Sequence, residues 1–408
     1  NILAMVVENK TVEQAIAAGF LSSGLLDEGV SVESILEFAP DGTPDSDGVI
    51  RGYKIVWEWH LWDHLIAKEY ASEHPELYRI GTSNYPLNWN HGNGIDYSEK
   101  LNQIALSFRN GSEIVIIEYT GNLENGTEIA ESHSGGRYGK GGDLLYRWGN
   151  TAEYGRGDVR LSYSQHAVNW IPDGYPGAGN LIIFNNGSRN IREYSTACEI
   201  ASQWDETTQS YPDISSPDTH WGPDSLVWEW NGDNNYNIYS NDSSGAQRLK
   251  NGNTLMAFGI YGLLLEVTPD QEVVWKYKCP GHSNSALCYN ANIEYLPDGC
   301  DARVFKVKEY EPDYSGFAGR VLTPIANSIE LYGGSCGELD GPPHLVDYCS
   351  INGNICGQCK VDMVDFARLA ENWLDSDCGT CNEADLTGDE KIDINDLIIL
   401  VKDWLVSL

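Results

Sequence analysis

A stretch of twelve residues near the end of the chain, DLTGDEKIDIND at 385–396, has oxygen-bearing side chains at the spacing of a calcium-binding loop. The ligands expected at loop positions 1, 3, 5, 7, 9 and 12 are Asp385, Thr387, Asp389, the backbone carbonyl of Lys391, Asp393 and Asp396. Because four carboxylates in one loop repel one another when no ion is present, we expect Ca²⁺ binding and folding to be coupled. The alternative interpretation is a solvated acidic turn.

The segment after this loop, NDLIILVKDWL, repeats an earlier one, VDFARLAENWL, with equivalent positions 31 residues apart. Apolar residues fall at i, i+3, i+4, i+7 and i+8 in each copy, which predicts two amphipathic helices that pack on each other. The loop ahead of the first copy begins at Asn354 and keeps too few carboxylates to hold calcium in the same way. The sequence therefore predicts one calcium site.

Two CxxC pairs frame the first of these helices, with 18 residues between the pairs. The four cysteines are Cys356, Cys359, Cys378 and Cys381. Their spacing is typical of a Zn²⁺ site and is equally compatible with disulfide bonds. The chain has 10 cysteines, an even number, which favours an oxidising compartment. We therefore favour disulfides over zinc.

The tandem at 354–408 resembles the dockerin family, through DLTGDEKIDINDLIILVKDWL and the weaker VDMVDFARLAENWL. This resemblance implies a small α-helical, calcium-binding domain. Dockerins bind cohesin modules, so it also implies a cohesin-like partner or a self-assembly partner. The alternative is that the tandem only braces or caps the adjacent domain.

Seven phrases follow one another through the first 333 residues. They are IVWEWHLWDHLI, NWNHGNGIDY, IALSFRNGSEI, GGDLLYRWGN, YSQHAVNWIPDG, LIIFNNGSRN and SSGAQRLKNGNTL. In this order they resemble bacterial arylsulfotransferases, which are β-propellers. The resemblance implies transfer of a sulfuryl group from a phenolic sulfate to another phenol through a transiently sulfated histidine, with no nucleotide cofactor.

The same resemblance assigns roles to individual residues. The expected catalytic residues are His91, His166 and Arg189, and the expected substrate contacts are Asn93, Arg109 and Gln247. These residue types suit the reaction, because a neutral imidazole is a competent nucleophile and arginine stabilises charge on the sulfuryl oxygens.

One expected residue is missing from this set. The resemblance places the nucleophilic histidine near Ser244–Arg248, where SSGAQRL has no histidine and Gln247 stands instead. Glutamine cannot form the same covalent adduct. Either another histidine, such as His220 or His282, takes that role, or the protein does not catalyse this reaction.

Other residues with chemical potential in the large domain give weaker signals. His60 and His64, four residues apart in WEWHLWDH, could share a helical face and bind a metal ion, but we favour a hydrogen-bonded structural pair. The sequence contains no serine-nucleophile elbow, phosphate-binding loop or HExxH motif. Sulfuryl transfer is therefore implied by the family resemblance alone, and the missing histidine favours a noncatalytic protein.

Repeated aromatic strand endings indicate which elements must position these residues. They are IVWEW at 55–59, LLYRW at 144–148, LVWEW at 226–230 and VVWKY at 273–277. Trp228 and Trp275 are 47 residues apart, close to the period of propeller blades. We expect a mainly β fold, a six-bladed β-propeller whose first strands precede this chain, and a β-sandwich is the alternative. The segment TVEQAIAAGFL predicts a short helix with Thr11 as its N-cap, an insertion or lid.

The pattern divides the chain into three parts. Residues 1–333 form the arylsulfotransferase-like propeller, 334–353 a linker rich in Gly, Pro and Cys, and 354–408 the dockerin-like tandem of loop–helix repeats. Gly and Pro in LYGGSCGELDGPPHLVDYCS argue against regular structure there.

Charge and hydropathy exclude some classes of partner. Acidic residues outnumber basic ones by 60 to 26, a formal net charge of −34, which argues against nucleic-acid binding. No apolar run is long enough to span a membrane. The opening NILAM resembles the later part of a β-strand, so we expect an upstream segment that could carry a signal peptide. The expected location is extracellular, cell-surface or periplasmic.

These observations lead to two principal hypotheses. The first is an exported arylsulfotransferase-like protein that binds a phenolic sulfate or another small molecule in its central channel. The second is a noncatalytic propeller, a binding or structural component of an extracellular assembly, connected through its calcium module. A third, a carbohydrate-active enzyme, lacks a convincing pair of catalytic carboxylates and ranks last.

Overall fold

The computed structural model of the protein is mainly β, with one α-helix in the residues that it describes. Those residues are 1–20, 29–43, 52–80, 89–119, 130–131, 141–189, 191–216, 218–232, 238–279, 281–282, 287–288, 303–318, 334–335, 338–339, 386–387 and 391. The expected fold class is confirmed at this level, whereas propeller closure and the calcium-binding domain stay predictions.

Four four-stranded sheets succeed one another along the chain, and nearly all of their strand pairs are antiparallel. The first has the order β1-β2-β3-β9, with strands β1 (Ile2–Lys10), β2 (Val30–Asp41), β3 (Gly52–His60) and β9 (Ala130–Glu131). The second has the order β10-β8-β7-β6, with β6 (Gly92–Ser98), β7 (Gln103–Phe108), β8 (Glu113–Glu118) and β10 (Leu144–Trp148).

The third and fourth sheets each contain four strands that are consecutive in the chain. The third is β11 (His166–Trp170), β12 (Leu181–Asn185), β13 (Thr196–Ile200) and β14 (Trp228–Trp230). The fourth is β15 (Gly245–Arg248), β16 (Thr254–Phe258), β17 (Leu263–Val267) and β18 (Val273–Lys278). Each is an up-and-down antiparallel ladder, the form that consecutive short strands joined by Gly- and Asn-rich turns favour.

Short elements complete the described part of the chain. Two-residue strands are β4 (Leu65–Ile66), β5 (Tyr78–Arg79), β19 (Gly281–His282), β20 (Leu287–Cys288), β21 (Gly334–Ser335) and β22 (Glu338–Leu339). The 3₁₀ turns are Leu61–His64, Lys68–Tyr70, Thr151–Tyr154, Gly259–Tyr261 and Ser315–Phe317.

The predicted helix near the start of the chain is confirmed as α1 (Val12–Ala18). Thr11 and Gln14 form a capping box, in which the Gln14 N–H donates to Thr11 Oγ1 over 3.3 Å and the Thr11 N–H donates to Gln14 Oε1 over 2.9 Å. Gly19 ends the helix in the left-handed region, at φ 103°.

The predicted aromatic strand endings are also confirmed as strands. IVWEW lies in β3, LLYRW is β10, the last three residues of LVWEW are β14, and VVWKY lies in β18. In the second, third and fourth sheets this strand is an edge strand. The segment NGNTLMAFGIYGLLLEVTPDQEVVWKY contains β16, β17 and β18.

Apolar side chains between the sheets form two core clusters. One contains Trp57, Trp59 and Phe108, and the other contains Tyr146 and Ile183. Strand β7 is buried along its whole length, since both of its faces are covered. The sequences of the interior strands are therefore nearly continuous apolar runs, and apolar and polar residues alternate only weakly in them.

Two compact units account for the chain. The larger comprises Asn1–Lys278 and Arg303–Glu309, and the smaller comprises Cys279–Ala302 and Tyr310–Leu408. The predicted domain boundary near residue 333 therefore lies within the smaller unit, and the linker stays a prediction. Among the expected calcium ligands only Thr387 and Lys391 are described, both exposed, and the two CxxC pairs lie outside the described residues.

Within the described residues, every helix is too short or too polar to cross a membrane.

A buried ion pair joins β8 and β10. The Arg147 guanidinium donates from Nε and Nη2 to the two Glu113 carboxylate oxygens over 3.0 and 2.7 Å, and both side chains are 0% exposed. Arg147 also donates to the Leu77 carbonyl over 3.0 Å, and it lies between the rings of Tyr78 and Tyr154. The bidentate pair joins two strands of the second sheet, and the other contacts of Arg147 link this sheet to Leu77 and to the 3₁₀ turn Thr151–Tyr154.

Replacing Glu113 with alanine is expected to lower the free energy of unfolding by about 3–5 kcal/mol, because it leaves the Arg147 cation buried without its counter-ion. Urea unfolding followed by tryptophan fluorescence measures the loss. Glu206→Ala, which removes the exposed partner of Lys100, is the matched control and should change stability far less. Equal losses in the two variants would contradict a structural role for the buried pair.

Candidate active site

The first strands of three successive sheets meet at one place. Strand β11 contacts both β6 and β15. His91 immediately precedes β6, His166 is the first residue of β11, and Asp242 lies in the turn before β15. The ends of three neighbouring strands therefore bring two of the predicted catalytic histidines into one cluster, together with a carboxylate.

Several non-glycine residues around this cluster have φ angles in the left-handed region. Non-glycine residues with positive φ are His91 at 51°, Ser164 at 51°, Ala167 at 54°, Ser243 at 53° and Ser244 at 86°. This conformation is costly for residues with a Cβ and persists only where the surroundings impose it, which is typical of functional sites.

A hydrogen-bond chain determines the tautomer of His166. Asn186 donates from Nδ2 to the Ser240 and Ser243 carbonyls over 2.7 and 3.0 Å, so its Oδ1 is left as an acceptor. His166 Nδ1 is 2.7 Å from this Oδ1 and 3.2 Å from the Ser164 carbonyl. Because both partners are acceptors, the Nδ1 of His166 carries the proton and its Nε2 has the lone pair.

The electrostatic surroundings keep this ring neutral. Burial, aided by nearby Arg109 and His91, lowers the pKa of His166 to about 4, whereas Asn186 and Asp242 oppose the shift. The pKa of His91 is lowered as well, by burial and by Arg109. His166 Nε2 lies 3.8 Å from Asp242 Oδ1. At neutral pH the site therefore presents an uncharged imidazole nitrogen beside an arginine.

Arg109 lies in the turn between β7 and β8 and is tied to the same region. Its backbone N–H donates to the His91 carbonyl over 3.0 Å, and Nη2 donates to the Asn241 carbonyl over 3.3 Å. Its Nε is buried and has no hydrogen-bond partner among the described residues. An anion held near His166 could accept a hydrogen bond from this group.

The other predicted substrate contacts have different surroundings. Asn93 donates from Nδ2 to the Gln165 carbonyl over 2.8 Å and so joins β6 to the start of β11, while its Oδ1 is buried without a partner among the described residues. Gln247 uses its amide to bind the backbone of Glu309. Arg189 is exposed in the turn after β12. The structure thus groups His91, Arg109 and His166, and it does not place Arg189 with them.

Three other described histidines of the large domain have partners outside this cluster. His60 Nδ1 is 3.1 Å from Ser34 Oγ, and the His64 ring stacks on Trp59 at a centroid distance of 5.1 Å. His220 Nε2 is 2.8 Å from Asp224 Oδ1. Among the described residues, no group of three or more His, Cys, Asp or Glu side chains is placed to hold a metal ion.

Two site residues escaped the sequence analysis, Asn186 and Asp242. Asn186 stands in LIIFNNGSRN, three residues before the arginine that the resemblance selects, and Asp242 stands just before SSGAQRL. An asparagine ahead of a glycine is an ordinary turn signal, so nothing in the local pattern marks Asn186 as the partner of a histidine 20 residues away. Their roles depend on contacts that only the folded chain reveals.

The buried thiol of Cys198 is a poor candidate for chemistry. Burial raises its pKa to about 12, with nearby Glu229 adding to the shift. The thiolate form is therefore negligible at neutral pH.

Acidification is expected to weaken the fold through His166. The imidazole takes up its proton near pH 6.5 in the unfolded chain and near pH 4 in the folded protein, so the unfolded state binds more protons between these values. The free energy of unfolding should fall as the pH is lowered from 6.5 to about 4. Urea unfolding at several pH values measures this slope.

His166→Gln is the variant that isolates this effect, and its slope in that range should be shallower. His60 acts in the opposite direction, because its hydrogen bond to the Glu8 carboxylate raises its pKa and favours the folded state in acid. The difference between wild type and variant removes that contribution. Equal slopes would contradict a buried neutral His166.

A family match covers the part of the chain that contains this site. Residues 51–290 match the arylsulfotransferase (ASST) family, a region that contains every residue of the cluster. No curated protein is significantly similar to the chain.

Two solved structures show weak similarity. A protein of unknown function from Bacteroides caccae is 12% identical, covering 49% of this chain and 53% of that one, with a TM-score of 0.27. A catalytically inactive virginiamycin B lyase from Staphylococcus aureus, solved with quinupristin, is 11% identical, covering 52% of this chain and 78% of that one, with a TM-score of 0.21. The chain spans about half the length of the first of these proteins, and neither similarity establishes a common fold. The family match extends over more than half of the 408 residues, and the chain therefore belongs to the arylsulfotransferase family.

Proposed function

We propose that the protein transfers a sulfuryl group from an aryl sulfate to a phenol, with His166 Nε2 as the nucleophile. The observation that carries this proposal is the fixed tautomer of His166. Asn186 holds the Nδ1 proton over 2.7 Å, so the Nε2 lone pair is available, and the low pKa keeps the ring uncharged. Neutral imidazole held in one orientation is the reactive form of a histidine nucleophile.

The proposed transfer has two balanced steps. In the first, the Nε2 lone pair attacks sulfur, the bond from sulfur to the aryl oxygen breaks, and the electron pair leaves on that oxygen. In the second, the oxygen of the acceptor phenol attacks sulfur, the Nε2–S bond breaks, and Nε2 regains its lone pair. The aryl oxygen that leaves in the first step takes up a proton from water, and the proton of the acceptor phenol passes through His91 to water in the second.

The neighbouring side chains have distinct roles in this proposal. The buried Nε–H of Arg109 binds a sulfuryl oxygen and stabilises the charge that develops there. His91, kept neutral by burial and by Arg109, receives the proton of the acceptor. Positioning and charge stabilisation dominate group transfers of this type, as they do in phosphoryl transfer.

Incubation with 4-nitrophenyl sulfate and phenol tests the proposal. Release of 4-nitrophenol that depends on the acceptor, together with a sulfated histidine trapped from the donor alone, is the expected result. Absence of both release and labelled histidine in the folded wild-type protein would overturn it.

A second candidate function is binding of aryl sulfates without turnover. The observation that favours it is Gln247, which stands where the resemblance expects the nucleophile and whose amide is already bound to the Glu309 backbone. In that case the protein would serve an extracellular assembly through its calcium module. Saturable binding of 4-nitrophenyl sulfate with no release of 4-nitrophenol distinguishes this candidate from the enzyme.

The finer architecture belongs to the same proposal. We propose that the four-stranded sheets are blades of a propeller, since successive up-and-down ladders of four strands are the unit of that architecture. We further propose that the protein is exported and that residues 385–396 bind Ca²⁺ through four aspartates. Calorimetric titration of the metal-free full chain with Ca²⁺ tests the latter, with Asp393→Ala as the variant that should lose binding.

A further inference from the structure

A segment from a distant part of the sequence lies across the start of β15. We call Arg303–Glu309 the strap, and it belongs to the larger compact unit. Near its beginning, the Val304 N–H donates to the Gly259 carbonyl over 3.0 Å. At its end, Gln247 and Glu309 exchange two hydrogen bonds, from the Glu309 N–H to Oε1 over 2.8 Å and from Nε2 to the Glu309 carbonyl over 3.0 Å.

Two glycines permit the strap to approach this closely. A Cβ on Gly245 would lie 3.0 Å from the Lys306 Cβ and 3.3 Å from the Ala167 Cβ. A Cβ on Gly259 would lie 2.8 Å from the Val304 carbonyl oxygen. Both distances are shorter than ordinary van der Waals contact, so the absence of side chains at these two positions is what lets the strap lie against β11 and β15.

The strap carries an aromatic ring to the candidate nucleophile. The Phe305 ring meets the His166 ring edge-on, with centroids 6.2 Å apart and an interplanar angle of 74°. Phe305 is 53% exposed, whereas His166 is 1% exposed. One part of the phenylalanine ring therefore lies against the histidine, and the rest faces solvent.

The strap also carries positive charge into an acidic protein. Lys306 and Lys308 are close enough to the buried carboxyl of Asp96 to act on its pKa. In a chain with 60 acidic and 26 basic residues, the Arg109 cation near His166 forms a local region that favours anions. An aromatic ring beside this region suits a ligand that has an aryl group at one end and a sulfate at the other.

We infer that Phe305 is the residue that recognises the aryl group of the sulfate ester. This inference rests on the proposed function and extends it to the choice of substrate. The ring of the ligand stacks on the exposed part of Phe305 while its sulfate reaches His166 and Arg109. An aliphatic ring of the same size lacks the π-system that such stacking requires, so it binds less tightly.

The inference assigns Gln247 a role as well. Gln247 stands where the family resemblance expects a nucleophile. Its two hydrogen bonds to Glu309 fix the end of the strap, and the strap places Phe305 beside His166. Gln247 is therefore a positioning residue, and its amide acts through the backbone of Glu309.

Binding of two sulfonates tests the role of Phe305. Benzenesulfonate and cyclohexanesulfonate have the same charge and ring size, and neither contains an ester bond that the protein could cleave. Calorimetry on the full chain should show tighter binding of benzenesulfonate to wild type. Phe305→Leu should reduce this preference by about tenfold, whereas Phe305→Tyr should retain it.

A matched control keeps the test specific. Tyr53→Leu removes an aromatic ring that is 69% exposed on β3 and contacts Phe38, and it should leave the preference unchanged. Equal weakening of both sulfonates in Phe305→Leu would indicate a merely structural effect and would overturn the inference. An unchanged preference in Phe305→Leu would overturn it too.

The two proposals fail in different ways. If Phe305→Leu loses the preference for benzenesulfonate while wild type never releases 4-nitrophenol, recognition by Phe305 is supported and the proposed sulfuryl transfer is wrong. If wild type turns over and Phe305→Leu keeps the preference, transfer stands and recognition by Phe305 falls. If wild type binds neither sulfonate, the inference about Phe305 falls whatever the turnover.

Discussion

Replacing His166 with glutamine is expected to lower kcat/KM for 4-nitrophenyl sulfate by at least about 10³-fold, the scale on which a covalent nucleophile contributes. Glutamine is polar and of similar length, so the contact with Asn186 and the burial of the site are largely kept. Its amide, unlike imidazole, is too weak a nucleophile to accept the sulfuryl group. Initial rates of 4-nitrophenol release with phenol as acceptor measure the loss.

A matched histidine controls this experiment. His220 is partly exposed and paired with Asp224, and His220→Gln should leave the rate unchanged. Peptide mapping of protein trapped with donor alone should place the sulfuryl label on His166. A rate in His166→Gln within about tenfold of wild type, with the label on another histidine, would contradict the assignment.

The sheets were predictable because their signal is local. The phrases that end in Trp or Tyr combine aliphatic and aromatic residues, and β10, β14 and β18 form where they occur. The capping box at Thr11 is equally local, since all of its atoms belong to residues within one helical turn.

The candidate site was predictable only in part. The family resemblance selected His91 and His166 from the sequence phrases that contain them. They lie near one another because each stands at the beginning of the first strand of its sheet. Arg189 was selected in the same manner, but the turn after β12 places it in solvent and places Asn186 beside His166 instead. Side chains three residues apart in an irregular turn can point in any direction, and sequence spacing alone does not decide which one faces the site.

The role of Gln247 is harder to predict from the sequence than the positions of the histidines. Its partner, Glu309, is 62 residues away, and the contact joins a side-chain amide to a backbone rather than two recognisable side chains. No periodicity or charge pattern marks such a pair. The calcium loop presents the reverse case, since its pattern is strong in the sequence, and Asp385, Asp389, Asp393 and Asp396 lie outside the described residues.

Replacing Arg109 with alanine is expected to lower kcat/KM by about 10²–10³-fold, the loss typical when one donor to a developing anion is removed. The effect should fall mainly on kcat, because the charge on the sulfuryl oxygens is redistributed most strongly in the transition state. Arg109→Lys should recover part of the rate, since lysine restores the positive charge without the planar fork. Steady-state kinetics with 4-nitrophenyl sulfate measure both parameters.

The same variant should change the titration of the site. Arg109 lowers the pKa of both His166 and His91, so its removal should raise the pKa of His166 from its value of about 4 and bring the acid limb of the rate profile closer to neutral pH. Lys100→Ala, which removes an exposed positive charge paired with Glu206, controls for the net charge of the protein and should change neither kcat nor the acid limb. If Arg109→Ala keeps wild-type kcat and an unshifted acid limb, the sulfuryl oxygens are bound elsewhere and the exposed Arg189 becomes the group to test.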